Sequence, residues 1–413
     1  MPSKRISHSH PDFISLIYKL ADACNINLID YVVVFGCEDV DSFQKGMYKV
    51  LLKGCRDGQK LKIQLLLKWH PDPKNRESFR DMYRREFVFY RHILPNLLEI
   101  QRSFKNMEGL KIKFPNCIFA SAEYDKEAVA IVGSIQDGFR LCNRLHKTDL
   151  QHVSLVMKNL AKMHALSFAL ARINPRAFEE ISGLCGKDVQ YPDPEPMPKS
   201  MRCFFDASVD VVLDAVAKDK LKRLGLHILE VLHKCIQPDC YSTICHADCW
   251  NNNTVFKYKV STTLNLLVHF RPACVDVKIA SPVTDISYFL YMSTDREFLS
   301  EHYGHILDIY YDTLTAVLRQ CNLDVNDIYP RTIFQKHLQK YSVFGLIEAL
   351  VSMMIITAEY EEALKMTEIK YDNCADKFYD VKQQDTSLFV SRVNGVVSDF
   401  FERNYSLDAI LNK

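Results

Sequence analysis

Neither sign of charge is in excess. The 52 Lys and Arg face 51 Asp and Glu, and the net charge of +1 provides no global field that would draw the chain to nucleic acid or an anionic membrane surface. No run of roughly 18 apolar residues occurs, as a membrane-spanning helix would need. Residues 1–28 lack the uninterrupted apolar core of a signal peptide. No CxxC pair is present among the 14 cysteines. Their nearest cluster, Cys235, Cys240, Cys245 and Cys249 with His246, has spacings unlike those of a zinc site. These absences leave a cytoplasmic protein with reduced, buried thiols as the expectation. Its 413 residues and 48% hydrophobic content suffice for two domains or one large bilobal unit with a packed core.

The chemistry is concentrated in residues 244–256, ICHADCWNNNTVF. Phosphoryl transfer needs a carboxylate to orient or deprotonate an acceptor hydroxyl, and an oxygen ligand to hold Mg²⁺ against nucleotide phosphates. Asp248 and Asn253 stand in the Asp-x-x-x-x-Asn relation of the protein-kinase catalytic loop, and His246 precedes the acid by two residues as it does there. Short strings rich in Asp and Asn also form simple turns.

The first 130 or so residues mix strand and helix. Residues 32–36 and 47–54 read as strands, and in residues 61–69 Leu61, Ile63, Leu65, Leu67 and Trp69 alternate onto one face. Lys68 falls on the other face with Lys62 and Gln64, either solvated or paired. A helix follows, ending near Pro95, with an apolar stripe of Phe79, Tyr83, Tyr90 and Leu94 that contains Glu86. A carboxylate on a buried face requires a cationic partner. Lys68 is the natural one, with Arg85 or solvent as the alternatives.

Residues 128–132 form a short apolar strand that leads through 133–138, bounded by Gly133 and Gly138, into strongly helical sequence. The glycine-bounded stretch reads as a hinge. Residues 150–172 form a helix with Val153, Val156, Leu160, His164 and Ser167 on one stripe, where His164 is expected as a buried, hydrogen-bonded histidine. Four prolines in residues 191–200 fix an extended connection, a linker or a lid. After the acidic loop, residues 254–258 begin a hairpin-like region whose antiparallel pairing would return Asp276 to the neighbourhood of Asn253. Asp276 sits between Val275 and Val277, where metal ligation explains it better than solvation. Asp285 reads as a structural carboxylate in the first turn of the next helix. Residues 341–360, rich in Met and aliphatic side chains, read as core.

Taken in order, these residues resemble the insect ecdysteroid-kinase-like branch of the choline and aminoglycoside kinase group. That branch shows H-G-D-L-W-x-N-N, then I-D-F-Q, then Ser-Pro and Asp-Leu. Here the text is His246-Ala247-Asp248-Cys249-Trp250-Asn251-Asn252-Asn253, then Val275-Asp276-Val277-Lys278, then Ser281-Pro282 and Asp285-Ile286. The phrases LAKMHA at 160–165 and FYRHILP at 89–95 are similar too, so the likeness runs from about Gly36 to about Asn394. The resemblance implies an α+β, protein-kinase-like bilobal fold with a small β-rich N-lobe at 1–132, a hinge at 133–138 and a large, mainly helical C-lobe at 139–413. It implies ATP and Mg²⁺ as cofactors and a hydroxyl of a small metabolite, an ecdysteroid or a xenobiotic alcohol, as acceptor. Asp248 is then the catalytic base and Asn253 and Asp276 are the metal ligands. Lys68, Glu86 and Ile135 are assigned to nucleotide binding, Ile135 through the hinge backbone.

Four departures from the family text stand out. The hinge reads Gly133-Ser134-Ile135 where the family has Glu-Asp-Leu, and residues 36–46 are only weakly glycine-rich, with Lys45 where the family has a serine. Lys278 adds a cation expected near the triphosphate. Ala247 replaces glycine beside the catalytic acid, and if that position needs a positive φ, alanine costs about 1–2 kcal/mol or shifts the loop. The competing readings are a kinase-fold binding protein without turnover and a thiol or zinc hydrolase built on residues 240–249.

Overall fold

A computed structural model of the chain describes residues 11–35, 46–70, 80–105, 107–124, 126–132, 139–141, 143–185, 199–258, 267–270, 277–371, 378 and 385–411. Ile135 with the rest of the hinge, Asp276, residues 36–45 and residues 191–198 lie outside them. The described strands are β1 (Asn27–Phe35), β2 (Met47–Arg56), β3 (Gln59–Lys68), β4 (Cys117–Ser121), β5 (Ala128–Val132), β6 (Phe139–Leu141), β7 (Thr243–Cys245), β8 (Thr254–Lys257), β9 (Leu267–Phe270) and β10 (Lys278–Ala280).

Two compact units result. The smaller is made of Met1–Asn96, Lys113–Leu141 and Val255–Asp276, and the larger of Leu97–Ile112, Cys142–Thr254 and Val277–Lys413. This division is less simple than a cut at 132 and 139. The 255–276 stretch goes with the small unit because β8 pairs antiparallel with β6. The 97–112 stretch goes with the large one, where Lys162 donates to the carbonyls of Gly109 and Lys111.

In the small unit, β1-β2-β3-β5-β4 form an antiparallel sheet in that order. Period-two alternation sorts β3 as the sequence implies. Leu65, Leu67 and the following Trp69 join Tyr48, Val50 and Leu52 against Phe13, Leu16, Ile17 and Leu20 of helix Pro11–Ala23. Leu66 and Lys68 take the other face and are buried as well. The helix expected to end near Pro95 instead continues. Helix Arg80–Val88 runs through a π-helical turn, Phe89–Ile93, into helix Leu94–Ser103. Leu94 N–H reaches back five residues to Phe89 O, and the wider turn makes room for a proline ring that would strike the carbonyl of a regular helix.

The large unit is mainly helical. Its central helix, Val283–Ser293, is buried along its whole length and lies against helix Arg331–Ile356. The latter is the one described helix long and apolar enough to cross a membrane, but 83% of its apolar window is buried inside the protein, as for a core helix. Gly345 sets how closely the two approach. A Cβ there would stand 2.3 Å from the backbone carbon of Ser287, so only glycine lets the backbones meet. Gly345→Ala is therefore expected to destabilise the protein by about 2–3 kcal/mol, the scale of overpacking in a rigid core. Urea unfolding measures it, and an unchanged midpoint contradicts the close approach.

Candidate active site

Residues 246–253 form a loop that enters from β7 and ends in a single 3-10 turn, Asn251–Asn253. Nearly every side chain in it is buried, with Asp248 and Trp250 half-buried. Asp248 is held on both sides. Tyr288 donates its hydroxyl to Oδ1 at 2.9 Å, and Asn253 donates its amide to Oδ2 at 2.6 Å and to the Asp248 carbonyl at 2.8 Å. The loop itself is pinned from behind, since Ser293 accepts Asn251 N–H at 3.1 Å and Thr148 accepts the Asn251 amide at 2.7 Å.

The main anchor is Asp285, whose oxygens take the backbone N–H of His246 at 2.6 Å and of Ala247 at 2.9 Å. His164 bridges Asp285, 3.1 Å from Nε2, and the hydroxyl of Tyr310, 2.8 Å from Nδ1. Burial alone would raise the Asp285 pKa. The His164 hydrogen bond and the nearby His164, Lys278 and His246 outweigh it and hold the carboxyl below its ordinary range. Asp285 is structural, as expected, but its hydrogen-bond partners belong to the 246–253 loop and to His164 rather than to its own helix. It and Tyr288 are three residues apart on helix Val283–Ser293 and so share a face. That spacing is the signal by which Tyr288 could have been found in the sequence.

Ala247 has φ +64°, the left-handed conformation that glycine adopts without strain. Asp285 grips the peptide on either side of His246 Cα, which holds Ala247 in that conformation.

In the small unit, Lys68 Nζ lies 2.5 Å from Glu86 Oε1 with both side chains almost fully buried, and the ammonium is 5.4 Å from the centre of the Tyr83 ring. Burial pushes the Glu86 pKa up while Lys68 pulls it down. Glu86 Oε2 has no hydrogen-bond partner among the described residues, which leaves it one acceptor to spare.

The strand that follows Asp276 is β10, which pairs with β7, Lys278 opposite Cys245, while β8 pairs with β6 and β9. Lys278 is buried against Phe344. Asp276 and Ile135 themselves lie outside the described residues. Among the described residues the only trio of possible metal ligands is His164, Cys245 and Asp285, two of which are spent on hydrogen bonds to each other. Burial raises Cys245 and Cys249 well above the ordinary thiol pKa, which keeps them neutral and poor nucleophiles.

Of the two expected Mg²⁺ ligands only Asn253 lies among the described residues, and its chemistry is compatible with that ion. Asn253 spends its amide nitrogen on Asp248, so its oxygen is left for another partner, and hard oxygen ligands are what that ion takes.

A model of the ecdysteroid kinase-like family matches residues 39–323. The chain belongs to the ecdysteroid kinase-like family. It has the family's α+β, kinase-like fold, a small β-rich unit and a larger helical one. No curated protein matches the chain. Solved structures similar to it include a choline kinase from Streptococcus pneumoniae, at 10% identity over 94% of this chain and 99% of that one, with a TM-score of 0.41. A choline kinase from Cryptosporidium parvum is 12% identical over 91% and 99% of the two chains, with a TM-score of 0.38. A choline/ethanolamine kinase family protein from Mesorhizobium loti is 9% identical over 93% and 99%, with a TM-score of 0.35. All three are remote likenesses.

Two outcomes follow from the loop. Ala247→Gly should stabilise the protein by about 1 kcal/mol, strain relief exceeding the added freedom of the unfolded chain. A loss of stability in chemical denaturation would count against a strained Ala247. His246 is fully buried, and burial lowers its pKa to about 4 against the pull of Asp285. From its unfolded value near 6.5 down to about 4, the unfolded chain binds a proton that the folded one does not. Stability therefore falls on acidification through that window, by about 2 kcal/mol between roughly pH 7 and 5. His246→Asn keeps an acceptor for Asp248 N–H and should flatten this dependence by that amount; an unaltered pH profile would show that His246 does not titrate this way.

Proposed function

We propose that this chain is an ATP- and Mg²⁺-dependent phosphotransferase acting on a hydroxyl of a small, lipophilic metabolite, an ecdysteroid or a xenobiotic alcohol. The observation that carries the reading is the Asp248 carboxylate, half-buried, oriented by Tyr288 and Asn253 on a loop that Asp285 fixes. Two aimed hydrogen bonds orient a carboxylate without exhausting its roughly four lone-pair sites, so it keeps capacity for a proton. A base must be positioned before its basicity matters.

In the proposed reaction the acceptor's O–H proton passes to an Asp248 oxygen. The alcohol oxygen bonds to the γ-phosphorus, the bond from that phosphorus to the β–γ bridging oxygen breaks, and ADP leaves. Lys68, oriented by Glu86, contacts the nucleotide phosphates, and Ile135 offers its backbone to the base. Asn253 and Asp276 are the residues assigned to hold Mg²⁺, which when bound neutralises phosphate charge. Cys24, Cys235, Cys245, Cys249 and Cys321 are buried as reduced thiols, which supports a reducing, cytosolic location.

Asp248→Asn should lower phosphate transfer, or slow ATP hydrolysis, by roughly 10²–10⁴-fold, the range for loss of a general base, while Mg-ATP still raises the melting temperature. Equal rates in the two proteins remove Asp248 from the mechanism. A wild-type chain that binds Mg-ATP without turnover on any hydroxylated metabolite is instead the non-catalytic binding protein.

A further inference from the structure

One buried amine is left out of the chemistry above. Lys278 opens β10, opposite Cys245, and only 8% of it is exposed. Its Nζ lies 3.7 Å from the centre of the Phe344 ring, and no acceptor among the described residues takes a hydrogen bond from it. Asp285 and Glu348 are the carboxylates whose charge it feels, yet neither lies within hydrogen-bond reach. An aromatic face returns part of what an ammonium loses on leaving water, but three buried N–H donors without an acceptor weaken the folded state. A lysine kept only for structure pairs or reaches solvent.

The location of this amine suggests its use. Phe344 and Tyr288 flank the point where Gly345 meets Ser287, and their rings are 6.4 Å apart. Tyr288 in turn donates to Asp248. An unsatisfied donor and the reactive carboxylate thus stand at opposite ends of a single aromatic pair, all within the large unit.

We propose that Lys278 selects the acceptor. It donates a hydrogen bond to a carbonyl or carboxylate oxygen carried by the metabolite whose hydroxyl is presented to Asp248. A cationic alcohol is rejected, because the aromatic face already holds a cation. This assignment rests on the phosphotransferase reading, and the test separates the two.

The probes are a keto-steroid alcohol, a hydroxylated bile acid and choline, offered to wild type, Lys278→Met and Lys278→Gln. Affinity is read by calorimetry without turnover, and ATP hydrolysis by wild type is measured separately, so that failure of the chemistry leaves the binding result intact. Wild type should bind the keto-alcohol or the bile acid and not choline. Lys278→Met should weaken that binding at least tenfold, raise KM more than it lowers kcat, and melt above wild type because an unsatisfied donor is gone. Lys278→Gln, a neutral donor, should keep part of the affinity for the ketone and lose it for the carboxylate. The proposal is overturned if Lys278→Met binds all three probes within twofold of wild type, if it melts lower with binding unchanged, or if wild type prefers choline or binds neither oxygen-bearing probe.

Discussion

The hydrogen bonds of the Asp285 carboxylate are the constraint on which the rest of the large unit's chemistry depends. A fully buried carboxylate is tolerable only when its oxygens are satisfied, and here two backbone N–H groups and one imidazole do so. The donors are the consecutive peptides of His246 and Ala247, so satisfying the acid also fixes the chain direction just before Asp248. Removing the acid would orphan those N–H groups in a buried part of the fold.

This explains how Ala247 can persist where glycine would be easier. Left-handed alanine is unfavourable by about 1–2 kcal/mol, and strained residues survive where their surroundings over-determine them. Ser293 and Thr148 hold Asn251 beyond the acid as Asp285 holds Ala247 before it. With both ends tied, the alanine bears the strain and the carboxylate keeps its place.

The small unit repeats the principle with an ion pair. Lys68 and Glu86 are both out of water, where desolvation opposes each charge and their mutual attraction and hydrogen bond compensate. Such a pair is poor evidence for stability, and apolar replacements of a buried pair are often neutral. Its use lies in fixing one strand lysine in one direction. Lys278 is the contrasting case, a buried amine over the Phe344 ring whose Nζ meets no hydrogen-bond acceptor among the described residues.

Much of this was legible from residue order. Alternation in β3 separated Lys68 from Leu65, Leu67 and Trp69, and the apolar stripe exposed Glu86 as a charge needing a partner, because side-chain direction along a strand or helix follows from local geometry. The spacing of His246, Asp248 and Asn253 likewise announced the loop, and the replacement of a glycine by Ala247 pointed to the position that proved left-handed. Less was legible where the answer lay far along the chain. The π turn that carries the helix past Pro95, the pairing of β10 with β7, the reach of Asp285 back across 38 and 39 residues to the loop, and the seat of Lys278 on Phe344 were decided only by tertiary structure. Sequence periodicity determines which face a side chain occupies; what it meets there depends on which distant element comes to cover that face.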